Sequence, residues 1–356
     1  MRPEIIASYL GLKLTSPVLV GSCAMTRSRE SVRDFVIAGA GAVVLPSLFE
    51  EQIVHQQLDC GIEPSQAERS AEATAYQHSE DQYNGGPSEY LRTVEDLKRI
   101  TSVPIIASLD GYTGGSWLSF ARKIESCGAD ALELNLHANF SDPSLSADAV
   151  EEQMLECVRS VCDFVSIPVA IRLLPFHTSL PNLAWRLIES GAAGLVVFGH
   201  QPNWMVLPEQ LRATTQWSLT PAGYISPTIS GLIRVRCGGP DISIAASGGI
   251  SSPSEVAQVI LAGADVAMVT SEVLREGPDA ISHMVDGLIS FLQRNDYESF
   301  EAFASARPKL ESLTSPRLNY LQPLTQMAGY RDPSPAVPAR TGDRWGHLDD
   351  GSTPHD

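Results

Sequence analysis

The chain has 356 residues, long enough for one large α/β domain, and carries 42 acidic against 25 basic side chains for a formal net charge of −17. No Lys/Arg cluster falls on a predicted helix and no apolar run reaches the ~18 residues of a membrane span, which excludes nucleic acid and membranes as partners and leads us to expect a cytoplasmic protein. Six cysteines (Cys23, Cys60, Cys127, Cys157, Cys162, Cys237) are scattered without a CxxC pair or a histidine at ligand spacing, so reduced thiols and no metal are expected.

Ser8–Leu14 reads as a short hairpin strand ahead of the main body. Val18–Gly21 is the first predicted barrel strand, followed by Ser22-Cys23-Ala24, a helix through Val32, Phe35, Val36 and Ile37, and a second strand at 42–45 that ends at Pro46-Ser47. Leu48 to about Ser88 then interrupts the rhythm. An insertion of that length at the end of a strand is expected to be a lid or a substrate-contacting loop, with a helical decoration as the alternative. Strands three to six follow at Ile105–Leu109, Ala131–Leu136, Val169–Leu173 and Gly194–Phe198. His200–Thr228 reads as a second long loop.

The run Ile242–Ala246 breaks at Ser247-Gly248-Gly249 before a helix through Val256, Val259, Ile260 and Leu261. A last strand, Val266–Val269, stops at Thr270-Ser271. Two successive strands thus end in small or hydroxyl residues at helix starts, where exposed amides favour an anion. Gly-Ala recurs ahead of several strands, at 39–42, 128–131, 191–194 and 263–266, marking repeated helix-to-strand turns. The predicted fold is a TIM (β/α)8 barrel over 1–315, with an N-terminal hairpin and catalytic-face insertions. Residues 316–356, rich in Pro, Gly, Asp and Arg towards the end, are expected to form a largely disordered C-terminal extension.

Polar residues inside barrel strands must find partners, because an unpaired buried amide costs roughly 2–7 kcal/mol. Alternation puts Glu133, Asn135 and His137 on one face of strand four, and Arg172 sits among Ile171, Leu173 and Leu174. The residues alone leave two readings for Arg172: a buried salt bridge, for which Glu133 is a candidate, or a cation facing a ligand.

The Ser247-Gly248-Gly249 turn, Ala262–Asp265 and Arg275–Pro278 resemble the FMN phosphate site of the dihydroorotate dehydrogenase family. From Tyr9 to about Gly287 the order of the hairpin, Gly21-Ser22-Cys23, Ser108, Glu133-Leu134-Asn135, Arg172 and the terminal turns is similar to that family. The resemblance implies an FMN oxidoreductase of pyrimidine biosynthesis that oxidises dihydroorotate or a related CH–CH substrate. It surrounds the flavin with Ser22, Ser47, Ser108, Asn135, Arg172, Ser247, Gly248, Gly249, Thr270 and Ser271, and assigns substrate contacts to Asn84 and Asn135. It also implies a homodimer and an electron-transferring partner protein.

The departures bear on the reaction. Pro46 stands where the family has lysine, Arg172 replaces another lysine, and Ala138 falls at the position of the Cys or Ser base. His137 is therefore the candidate base, with His78, His177 and His200 also in catalytic-face loops. Two other readings remain open: a catalytically impaired flavin- or phosphate-binding subunit or regulator, and a flavin-free phosphate-binding lyase or isomerase. The last would need a lysine or a metal at a strand end, and Lys13, Lys98, Lys123 and Lys309 lie outside the predicted strand ends.

Overall fold

In the computed structural model, the described residues are 3–63, 84–111, 115, 117–136, 142–200, 202–238, 240–308, 317, 320 and 321. Contacts divide the chain into two units, Met1–Lys309 and Leu310–Asp356. The predicted tail lies almost wholly outside the described residues.

Eight parallel strands close on themselves: β3 (Val18–Val20), β4 (Val43–Val44), β6 (Ile105–Asp110), β7 (Ala131–Asn135), β8 (Val169–Leu173), β9 (Gly194–Val197), β12 (Ser243–Ser247) and β13 (Val266–Val269). Pairing of β4 with β6 and of β13 with β3 completes the ring. Helices surround it, so each strand is covered on both faces and reads as a nearly continuous apolar run. This is the predicted TIM barrel, with strand ends within a residue or two of those expected.

The recurring Gly-Ala turns have a common geometry. Gly39, Gly128, Gly191 and Gly263 all take positive φ (97°, 95°, 102° and 127°), the left-handed conformation that ends a helix. At two of the turns an aspartate follows and ties neighbouring strands together. Asp130 accepts from the Ile105 amide and pairs with Lys98 at 2.6 Å, while Asp265 accepts from the Ile244 amide and pairs with Arg236 and Arg307, each at 3.0 Å. These ion pairs sit where strands begin, at the end opposite the cavity.

That end is stoppered by the hairpin β1 (Ala7–Tyr9) and β2 (Leu12–Leu14). The Leu10 amide donates to Ser243 Oγ, Tyr9 is buried, and a side chain on Gly194 would run into Leu10. Among the described residues the buried Tyr9 hydroxyl has no hydrogen-bond partner, and burial, followed by the Glu133 carboxylate, raises its pKa well above the usual phenol value.

One expectation needs correction. The stretch after His200 is not irregular: β10 (Asn203–Leu207) and β11 (Arg212–Gln216) form an antiparallel hairpin paired only with itself. Its turn, Pro208–Gln210 followed by Leu211 at positive φ, lacks the usual Asn-Gly signal, so adjacent residues do not announce it. The insertion after the second strand begins with a short strand β5 (Leu48–Phe49), which pairs with β6, and a helix Glu50–Asp59, and the next helix is Gly86–Ile100. Residues 64–83, the rest of the expected lid, lie outside the described set. No described helix is long and apolar enough to cross a membrane.

All six cysteines are free. Burial pushes the Cys157 thiol up to about 12 and Cys162 up to about 11, and it raises Cys23 as well. Exposed Cys60 should therefore react first with a disulfide reagent, with half-buried Cys162 slower and Cys157 silent until the protein unfolds. Peptide mapping after brief labelling checks this; early modification of Cys157 would contradict its burial.

Candidate functional site

The carboxyl ends of the barrel strands open into one cavity of about 890 Å³, within the usual range for small-molecule sites. Its wall includes Ser22, Ser47, Asn135, Arg172, Ser247, Gly248, Gly249, Thr270 and Ser271. Nine of the residues expected around the cofactor are thus brought together from strands far apart in sequence. Ser108 is not on the wall but one layer below it, fully buried.

Asn135 is the focus of this floor. Its Nδ2 donates to Ser47 Oγ at 2.8 Å and Ser108 Oγ at 3.2 Å, and the two hydroxyls lie 2.8 Å apart. Ser108 is itself held by Tyr90, whose hydroxyl donates to its carbonyl at 3.1 Å and accepts from its amide at 2.8 Å. The carboxamide is fixed by its nitrogen, and Oδ1 is left buried with no hydrogen-bond partner among the described residues. A buried acceptor in that state costs about 1–3 kcal/mol, which a ligand N–H at this position would recover.

Arg172 lies beside Asn135 in register, and its guanidinium crosses the barrel towards Met268 Sδ, 3.9 Å away. Its Nε and Nη2 both donate to Glu133 Oε1, at 2.8 and 2.5 Å. Glu133 is fully buried, so the salt-bridge reading of Arg172 holds: its charge is paired beneath the cavity that it borders.

At the far end, Gly248 and Gly249 have φ of 110° and 76°, and neither amide has a protein acceptor among the described residues. Consecutive amides in such a turn form a concave donor site for an anion. At the first of the two helix starts the expected amide donors are already used. Before the helix Pro253–Leu261, the amides of Ser251 and Ser252 are taken by Glu255 Oε2, and Ser252 Oγ caps the Glu255 amide. The helix after Thr270 has only six residues, and Ser271 Oγ is occupied by the Thr220 amide. Gly21 permits close approach of Thr270, whose hydroxyl lies where a Gly21 side chain would begin.

Asn84 is also corrected. It does not line the cavity, and its amide is saturated: Nδ2 donates to the Ser47 carbonyl and Gln52 Oε1, while Oδ1 accepts from Gln52 Nε2 and the Gly86 amide. It braces the loop that carries Ser47. His137 and His78 lie outside the described residues. His177 is buried off the cavity wall.

His200 does line the cavity. Its Nδ1 lies 3.1 Å from Thr220 Oγ1, Trp217 packs edge-on at 4.4 Å between ring centroids, and burial lowers its pKa. Asp110, Phe49 and Phe176 also line the wall without having been assigned roles from sequence, and Trp217 lines it as part of the long segment after His200. Asp110 was within reach of the alternation that exposes Ser108, two residues before it on the same face. Among the described residues no cluster of His, Cys, Asp or Glu could hold a metal ion.

Comparison with known proteins finds several dihydroorotate dehydrogenases among the relatives, together with an isopentenyl-diphosphate delta-isomerase from Xanthobacter autotrophicus that is 26% identical over 195 residues, 54% of this chain and 56% of that protein. The catalytic subunit of dihydroorotate dehydrogenase B (NAD(+)) from Endomicrobium trichonymphae is 26% identical over 309 residues, covering 84% of this chain and 95% of that protein. The protein of the same designation from Methanocaldococcus jannaschii is 24% identical over 308 residues, 80% of this chain and 92% of its own length. The chain is a divergent relative of the dihydroorotate dehydrogenases. The chloroplastic dihydropyrimidine dehydrogenase (NADP(+)) of Arabidopsis thaliana is 20% identical over 328 residues, 85% of this chain and 76% of that one. No family model matches.

Proposed function

We propose that this dihydroorotate dehydrogenase-like protein is an FMN-dependent oxidoreductase. Its substrate would be a small ring or enone-like compound, dihydroorotate or one related to it, that gives up hydride from a CH–CH bond. The observation that carries this reading is one cavity with an unsatisfied amide oxygen, Asn135 Oδ1, on its floor and two unused glycine amides, at 248 and 249, at its far end. That donor and acceptor set fits a flavin mononucleotide, which has a ring N–H to give and a phosphate dianion to be held.

Bound FMN would supply the hydride acceptor. In this reading Ser247, Gly248, Gly249, Thr270 and Ser271 hold the phosphate, and Ser22, Ser47, Asn135 and Arg172 flank the ring, with Ser108 fixing Asn135 from below. Ala138 has no titratable group, so proton removal falls to another side chain, and His137 is the adjacent imidazole in the sequence. A partner protein that carries electrons away belongs to the same reading, since relatives are named as catalytic subunits. Pairing of two copies is a further part of it.

The visible spectrum of the purified protein tests the reading: a yellow protein bleached anaerobically by substrate is expected. A colourless protein that FMN cannot reconstitute would end it. Ala138 and Pro46 favour a second reading, a flavin-binding subunit without dehydrogenase activity, which predicts colour that no dihydropyrimidine bleaches. Among the described residues no lysine lines the cavity, Lys98 being paired with Asp130, which gives a Schiff-base form of the lyase or isomerase reading no support.

A further inference from the structure

A second polar atom on the cavity wall is in the same state as Asn135 Oδ1. His200 lines the cavity, and its Nε2 is buried with no hydrogen-bond partner among the described residues. A buried polar atom left without a partner is costly, so one that borders a ligand-sized cavity calls for a partner on the ligand.

Whether Nε2 offers a lone pair or a proton is set by the other ring nitrogen. Nδ1 lies 3.1 Å from Thr220 Oγ1. The Ser218 backbone also bonds the ring in the sense that favours its protonated form, which is the action of a carbonyl that accepts a ring N–H. With Nε2 unpartnered, that N–H belongs to Nδ1. Burial, the larger effect, lowers the pKa of the imidazole and leaves it neutral near neutral pH. Nε2 therefore carries a lone pair and is an acceptor.

The ring is held in place for that role. Thr220 is fixed at both backbone groups, its amide donating to Ser271 Oγ at 3.1 Å and its carbonyl accepting from Arg275 Nη2 at 2.5 Å. Trp217 packs edge-on against the imidazole. The preceding residue, Gly199, lies against Arg172, where a Cβ would come within 3.1 Å of Arg172 Cγ and Cδ. Strand β9 is in register beside β8. His200 thus stands on the β9 side of the end of the cavity that Arg172 and Asn135 border.

From this geometry we infer that His200 is a substrate-binding residue whose Nε2 accepts a hydrogen bond from a ring N–H, so that the substrate is a cyclic amide or imide and not a carbocyclic enone. The inference rests on the flavin reading for which ligand reaches this end of the cavity.

Calorimetric titration of the FMN-loaded full-length protein near neutral pH compares uracil with 1,3-dimethyluracil, which keeps the ring and both carbonyls but has no N–H. His200→Phe should lower the affinity for uracil about tenfold and change that for the dimethyl compound by less than about twofold. Equal losses in a variant of unchanged circular dichroism overturn the inference, as does an unchanged affinity for uracil or failure of uracil to bind the wild type. His200→Gln, whose side-chain carbonyl can still accept, should keep uracil within about threefold of the wild type. A loss as large as that in His200→Phe overturns the assignment. Nitrogen-15 correlation spectra of the wild-type imidazoles, with His200 identified by its absence from His200→Gln, should show a neutral ring protonated at Nδ1. A proton on Nε2 leaves no acceptor and overturns the inference without any ligand. Release of FMN from His200→Phe gives Nε2 to a hydroxyl of the flavin chain and overturns it too. A colourless wild type that binds uracil with the same dependence on His200 sinks the flavin reading alone.

Discussion

Glu133→Ala should destabilise the barrel by about 3 kcal/mol, because it strands the Arg172 guanidinium in the interior without a counter-charge. Glu133 is fully buried and the Arg172 side chain is only 13% exposed, so water cannot replace the lost carboxylate. The gain from the pair itself is a separate quantity: replacing both partners by apolar residues of similar volume should cost much less than removing one. Urea unfolding of wild type, the single variants Glu133→Ala and Arg172→Met, and the double variant measures both. A single-variant loss below about 1 kcal/mol would show that the pair is solvated and not part of the core. The same substitution frees a positive charge beside the proposed flavin, so a surviving Glu133→Gln protein should hold FMN with a higher reduction potential, readable by equilibration with dyes.

The second large effect is expected at Gly249. Its φ of 76° is costly for any side chain and most so for a β-branched one, and a Cβ there would collide with the Tyr224 carbonyl. The Gly223 amide donates to the Gly249 carbonyl at 3.0 Å, so the turn cannot shift without moving the segment after β11 as well. Gly249→Val should therefore disrupt the donor turn while the barrel strands stay paired. We expect FMN retention to fall by about 100-fold, the loss of roughly 3 kcal/mol of charge-assisted hydrogen bonding, with far-ultraviolet circular dichroism little changed. Retention of FMN at the wild-type ratio would move the phosphate away from 248–249. At the neighbouring Gly248 a Cβ would meet only the Thr228 hydroxyl, at 3.3 Å, so alanine should be tolerated better there than at Gly249.

The strand interior thus has two functions. Glu133 and Arg172 form a neutralised layer between the Tyr9 stopper and the cavity floor, and that layer concerns stability. Asn135, one residue pair nearer the mouth, concerns ligand. Its amide is oriented by Ser47 and Ser108, so Ser108→Ala should weaken ligand binding without touching the ligand, by leaving Nδ2 with one fewer acceptor.

Alternation along single strands and glycine-marked turns are local signals, and they sufficed for the barrel, the order of its strands and the placing of Asn135, Arg172 and Ser247–Gly249 at one end. A buried parallel strand needs an apolar run, and a helix-to-strand turn at positive φ needs glycine; both are written in adjacent residues. Pairing across the barrel is not. Whether Arg172 meets a ligand alone or already neutralised depends on register with a carboxylate 39 residues earlier, and the clamp on Asn135 on a serine 88 residues before it. The same holds for Asn84, whose amide is saturated by Gln52 and the backbone, and for Asp110, brought beside Asn135 by strand pairing. Neighbouring residues along the chain dictate which polar groups point inward. Which of those groups still has a hydrogen bond or a charge to offer is settled by the folded ring, because each bond uses up a partner that only closure of the barrel brings near.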